Sequence, residues 1–253
     1  MKVVGIIPAH MASVRFPGKI LFNFYGLPMI EHVRRRASLA DSLSDVFVTT
    51  CDKEIAVTVS SYGGKVIMTS DSHTNGTSRV AEAIASQDCS HVLLLQGDEP
   101  LLLPRHIDSI VSNIKKNQNR DAWNATGDIK TEEELNLHSF VKCAVTSNNK
   151  ILHCFRKTPY FSDIKIQQKF VRKILGIIAY RKDFLLELNN LPETAIETAE
   201  FIEQMRIIES GYDLQSVAVE PSLPSVNEPH EAEIILDYIS NNVEQKILLE
   251  KIM

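Results

Sequence analysis

Three short stretches place charged and polar side chains at the ends of apolar runs. In the first, residues 6–19 (IIPAHMASVRFPGK), the apolar run KVVGII stops at Pro8. His10, Ser13 and Arg15 follow, then Pro17-Gly18-Lys19. An arginine can fork onto a phosphate and a lysine adds a point charge. A Pro-Gly bend turns the backbone tightly and leaves amides free to face an anion. Neither GxxxxGK[ST] nor GxGxxG occurs here, so the alternative is a solvated basic loop.

The second stretch, LLLQGDEPLL, ends a buried run in Gln96-Gly97-Asp98-Glu99-Pro100. Adjacent carboxylates there are costly unless they bind a cation or pair with bases. One or two carboxylates plus substrate phosphates suit Mg²⁺. The competing reading is that Asp98 or Glu99 sits near the start of the next helix as its cap. The third stretch, SHTNGTSRVAEA, puts His73, Asn75, Gly76, Thr77 and Arg79 around a helix N-terminus, where free amides and the dipole favour an anion. Thr77 reads as an N-cap. Arg79 in the first turn is disfavoured by the dipole, which hints at a contact with a nucleotide.

Regular elements must hold these stretches. KVVGII, DVFVTT, KVIMT and HVLLLQ read as strands. PMIEHVRRRASLA (Ile30, Val33 and Ala37 on one face), DKEIAVTVSSY closed by Gly63-Gly64, GTSRVAEAIAS and PRHIDSIVSNIKK read as helices between and after them. That alternation predicts an α/β fold with a mostly parallel, Rossmann-like sheet flanked by helices. Ligands of such sheets bind beyond the strands' carboxyl ends, where residues 8–19, 49–52, 69–79 and 96–100 fall. The middle is strand-rich: VKCAVT and KILHCF, joined by a hairpin at Asn148-Asn149, then ILGIIAY. Residues 138–181 read as an excursion that pairs with a second copy inside one domain spanning 1–253. Helices resume at AIETAEFIEQMRIIESG. LQSVAV is a strand, and a long helix is expected from about Glu228.

Composition narrows the classes. The chain has 253 residues, 44% hydrophobic and 23% charged, enough for a core without disulfides or metals. A net charge of -5 gives no global attraction for nucleic acid, and Trp123 with few other aromatics makes no stacking surface. Cys51, Cys89, Cys143 and Cys154 form no CxxC, which fits a reduced, cytoplasmic chain. No stretch reaches the length of a membrane span. His73 lacks recognised metal spacing to Asp71 or His91. Cys51 reads as a half-buried structural thiol, and Arg34 to Arg36 as a solvated helix face.

Taken in order, IIPAHMASVRFPGKIL, GLPMIEHVRRRA, NGTSRVAEA, LLLQGDEPLL, LGIIAYR and IETAEFIEQMRIIESG resemble the 3-deoxy-manno-octulosonate (Kdo) cytidylyltransferases, over residues 2–237. The resemblance implies a nucleotidyltransferase fold, a homodimer, and the joining of CTP to an acidic sugar with release of pyrophosphate and help from Mg²⁺. It implies that Arg15 and Lys19 hold the triphosphate beside Pro8, Ala9, His10 and Ser13, with Gly76, Thr77 and Arg79 around cytosine and ribose. Gln96, Glu197, Glu200 and Gln204 would face the sugar, with Glu203 adjacent. Asp98 would bind Mg²⁺, with Asn227 at the second metal position.

The departures cluster. His10 stands where the family has arginine, Ile174 and Ile178 where it has histidine and tyrosine, and Thr198 where it has another histidine. Ser225 and Asn227 occupy the segment that holds a metal-binding aspartate, with Glu228 and Glu231 nearby as substitutes. Three readings follow: a working cytidylyltransferase with altered sugar choice, a nucleotide-binding protein without turnover, and a dimeric interaction protein on the same scaffold.

Overall fold

The computed structural model describes residues 1–253, in two compact units: 1–108 with 223–253, and 109–222. In the first unit β1 (Val3–Pro8) leads through a long loop and the short hairpin β2 (Asn23–Phe24) and β3 (Leu27–Pro28) into helix α1 (Met29–Ala37). Then come β4 (Asp45–Thr50), α2 (Lys53–Ser61), β5 (Lys65–Met68), α3 (Gly76–Ala85), β6 (His91–Leu95) and the start of α4 (Pro104–Lys116), which runs on into the second unit. β1 lies between β4 and β6 and runs parallel to both, with β5 parallel on the far side of β4. Ile6 and Ile7 are wholly buried, as are Val92 and Leu93 of β6. Burial on both faces is why these strands read as unbroken apolar runs. Each such side chain contributes about 1.5–3 kcal/mol.

The second unit holds β7 (Ala122–Asp128), α5 (Glu132–Asn136), β8 (Lys142–Val145), β9 (Lys150–Phe155), α6 (Ile164–Gln167), β10 (Val171–Arg181), α7 (Lys182–Asn189), α8 (Ala195–Glu200), α9 (Gln204–Glu209) and β11 (Leu214–Ala218). Here pairing is mostly antiparallel: β10 with β7 and β8, β8 with β9, and β9 with β11. Only β11 and β7 run parallel. The expected hairpin is present, with Asn149 at φ 61. Strand β7 was not legible as one, because AWNATGD interleaves polar residues. Inside, Asn124 donates through Nδ2 to the carbonyls of Ala125 and Leu175, and Thr126 pairs with Ser216 Oγ at 2.7 Å. Buried polar groups tolerate a core strand when they are bonded in this way.

The chain returns to the first unit as α10 (Glu231–Asn241) and α11 (Val243–Ile252). The single long C-terminal helix is therefore corrected to two. Asn242 leaves helical geometry, and its Oδ1 accepts from Gln245 N at 3.0 Å, capping α11. Short polar side chains favour such caps over helix interiors. The reading of Arg34 to Arg36 as a solvated face is also overturned. Arg36 is fully buried and donates to Gln245 Oε1 at 2.7 Å, while Arg34 and Arg35 both clasp the buried Glu31.

Candidate functional site

The loop after β1, the start of α3 and the loop after β6 surround one cavity of about 480 Å³ in the first unit. That size is usual for a small-molecule site. Of the residues singled out in the sequence, Pro8, Ala9, His10, Ser13, Arg15, Lys19, Gly76, Arg79, Gln96 and Asp98 all line it, with His73 and Asn75. These are the carboxyl ends of β1 and β6, the place a parallel sheet leaves open for ligands.

Two glycines shape the floor. Gly18, at φ 70, lets the chain turn into the single 3₁₀ turn (Lys19–Leu21) that aims Lys19 inward. A Cβ on Gly97 would stand 2.7 Å from Ile20 Cδ1 and 3.3 Å from the Pro8 carbonyl oxygen, so only glycine lets the two loops close up.

Lys19 Nζ donates to Asp98 Oδ2 at 2.7 Å and to the Val226 carbonyl at 2.8 Å. An ammonium has three donors, so one remains for a ligand. Asp98 is balanced by this lysine, which settles how a carboxylate can end a buried strand. It does not cap α4, which starts only at Pro104; nor does Glu99. Val226 N in turn donates to the Asp98 carbonyl at 2.9 Å. Arg15 is exposed and reaches Asn227 Oδ1 through Nη2 at 3.0 Å, keeping its other donors. Ser13 Oγ accepts from Phe16 N at 3.3 Å, a bond internal to the loop.

At α3 the N-cap is Asn75, whose Oδ1 accepts from Ser78 N at 2.8 Å. Thr77 is the second residue of the helix, so its reading as the cap is corrected. Asn before a Gly-initiated helix was the available signal. Arg79 answers its unfavourable position differently from expectation: its Nη1 donates to Thr69 Oγ1 at 2.8 Å and to the Ser70 carbonyl at 3.1 Å, tying the helix to the end of β5. Its side chain is buried yet borders the cavity. His73 bonds Ser78 Oγ and Glu82 Oε2, and that bond with the imidazole holds the Glu82 carboxyl below the usual range.

A Mg²⁺ ion, implied by the resemblance, meets an incomplete set of ligands. Asp98 Oδ1 is left for a cation shared with phosphates, which is how Mg²⁺ usually binds. Asn227 does not fit: its oxygen accepts from a guanidinium, and a cation there would face Arg15. Glu231 spends Oε2 on the amides of Asn227 and Glu228 and is not among the residues lining the cavity, and Glu228 is exposed beside His230.

In the second unit, Glu197 is nearly buried and spends both oxygens on Arg206, at 2.8 and 2.7 Å, while Oε2 also accepts from Thr194 N. The pair raises the Arg206 guanidinium above its ordinary value. Gln204 donates to Asn124 Oδ1 at 3.1 Å. Glu200 is half-buried, and its carbonyl accepts from Arg156 Nε at 2.9 Å. The AIETAEFIEQMRIIESG segment breaks at Phe201, in left-handed geometry at φ 54, into α8 and α9. Sequence reasoning had no signal for Val226, which acts through its backbone.

An α/β chain whose parallel strands open onto a cavity lined by Arg15, Lys19, Arg79 and one carboxylate has the make-up of a nucleotide-handling protein. Comparison sharpens this. Residues 4–216 match the cytidylyltransferase family model. A 3-deoxy-manno-octulosonate cytidylyltransferase of Geotalea uraniireducens is 34% identical over 248 residues, covering 94% of this chain and 98% of that protein. An 8-amino-3,8-dideoxy-manno-octulosonate cytidylyltransferase of Shewanella pealeana is 37% identical over 239 residues, 92% and 97% of the two chains. A solved CMP:2-keto-3-deoxy-manno-octonic acid synthetase complexed with CTP superposes with a TM-score of 0.88 at 32% identity, over 95% of this chain and 99% of that one. The chain belongs to the cytidylyltransferase family, in the branch that holds the octulosonate cytidylyltransferases.

Proposed function

We propose that this chain activates an ulosonic acid, Kdo or a close relative, with CTP, giving the CMP-sugar and pyrophosphate. The observation that carries this reading is the meeting of Arg15, Lys19 and Asp98 at one cavity of the first unit. The solved relative complexed with CTP and the two curated relatives support it.

In the reaction the sugar's anomeric hydroxyl gives up its proton to solvent as its oxygen bonds to the α-phosphorus, the bond from that phosphorus to the α–β bridging oxygen breaks, and pyrophosphate leaves with the electron pair. The protein's share is positioning and charge balance rather than covalent chemistry. The third donor of Lys19 and the remaining fork of Arg15 meet the triphosphate oxygens. The α3 N-terminus adds its positive dipole end. Asp98 keeps Lys19 in place and would hold a Mg²⁺ ion that arrives with the nucleotide. Bound there, the ion would draw charge from the phosphates.

The reading also makes the chain a cytoplasmic homodimer, joined through the strand-rich 138–181 region, where Leu152, Phe161 and Ile166 stand exposed. Its four free cysteines favour that reducing compartment. Incubation with CTP and Mg²⁺ plus Kdo, its 8-amino analogue or N-acetylneuraminate, followed by pyrophosphate release, tests the activity. Release with an octulosonate is expected. Tight CTP binding with no release from any sugar would favour the non-catalytic reading instead.

A further inference from the structure

The segment after the second unit closes on the cavity's charged residues through contacts far apart in sequence. Val226 and Asn227 are each held by more than one hydrogen bond. Val226 takes the Lys19 ammonium on its carbonyl and gives its amide to the Asp98 carbonyl. The Asn227 amide NH goes to Glu231 Oε2. Its side-chain Nδ2 donates to Ser225 Oγ at 3.2 Å, leaving Oδ1 to accept from Arg15 Nη2 at 3.0 Å. The orientation is dictated by chemistry, since a guanidinium only donates and must face the amide oxygen.

Arg15 needs such a partner. It is exposed, and no regular element holds residues 9–18. A free arginine carries rotamer entropy that binding would have to remove. A neutral amide restrains the guanidinium and leaves its whole charge available to an anion. A carboxylate in that place would neutralise it.

We propose that Asn227 is a positioning residue for Arg15, setting its guanidinium for the triphosphate, rather than a ligand for a metal ion. The proposal rests on the cytidylyltransferase reading and extends it. The test is CTP binding in EDTA, by titration calorimetry, for the wild type, Arg15→Ala, Asn227→Ala, the double variant and Ser225→Ala. Thermal melts of each verify folding.

Asn227→Ala should weaken metal-free binding about tenfold, the loss of one charge-assisted bond. The double variant should bind no worse than Arg15→Ala alone. Ser225→Ala, which frees the amide to rotate, should lose less. Mn²⁺ affinity of the CTP complex should be the same in Asn227→Ala as in the wild type. Wild-type metal-free binding by Asn227→Ala, additive losses in the double variant, or a fall in Mn²⁺ affinity would each overturn the proposal. A wild-type chain that binds no CTP at all would overturn the cytidylyltransferase reading itself.

Discussion

Asp98 in the first unit and Glu197 in the second are both carboxylates paired with a cation, yet they are built for opposite ends. Glu197 is clasped on both oxygens by an arginine nine residues along and also closes its own helix cap. Both of its oxygens are already engaged. Asp98 meets a lysine 79 residues away through one oxygen, at the edge of a cavity, and that lysine still has a donor to give. A saturated local pair stabilises a fold, whereas an unsaturated pair between distant segments is left ready for a ligand. The sugar-side role expected of Glu197 must therefore compete with a structural one.

Substitution should separate the two. Asp98→Ala should lower turnover by about 10²–10³, the usual effect of losing one preorganised charge contact, with little change in melting temperature because the Lys19 ammonium keeps the Val226 carbonyl and faces the cavity. Glu197→Ala should do the reverse. Stranding Arg206 should cost about 3 kcal/mol of stability, read by denaturant titration. If Glu197→Ala leaves stability intact and lowers only kcat, the contrast between the two carboxylates fails.

Buried bases extend the comparison to pH. In the first unit, burial holds His32 at about 4, and Phe24 O accepts from its Nε2. The unfolded chain takes up that proton first, so stability should fall as the pH drops from about 6.5 to 4, by roughly 3 kcal/mol. In the second unit, burial holds Lys142 at about 8, with Arg156 adding to the effect. The unfolded lysine stays charged up to about 10.5, so this group should add stability as pH rises from about 8 to that value. Lys142→Met should flatten the alkaline rise and raise stability at pH 7. A pH profile unaffected by that change would remove Lys142 from the account.

Legibility in the sequence followed the same division. The parallel strands and α1 to α4 could be read closely because burial on both faces leaves unbroken apolar runs between helix signals. β7 could not, because its buried Asn124 and Thr126 are satisfied by partners 51 and 90 residues away. The break at Phe201 also had no local signal. There Arg156, from the end of β9, donates to the Glu200 and Phe201 carbonyls and holds the left-handed turn. Asn242, a strong capping residue in the expected long helix, was a signal that could have been weighed.

By itself the sequence determined the alternating core of the first unit, the polar loops at its strand ends and the family resemblance. These depend on short-range periodicity and on motif order, which a linear chain records directly. Only the tertiary structure decided which of those polar residues remain available. Arg79 went to Thr69 and Ser70, Glu197 to Arg206, and Asn227 to Arg15. Lys19 and Arg15 kept donors to spare. A side chain's free hydrogen-bonding capacity depends on the atoms folding brings to it, and residues 212 positions apart can meet only after the chain has closed on itself.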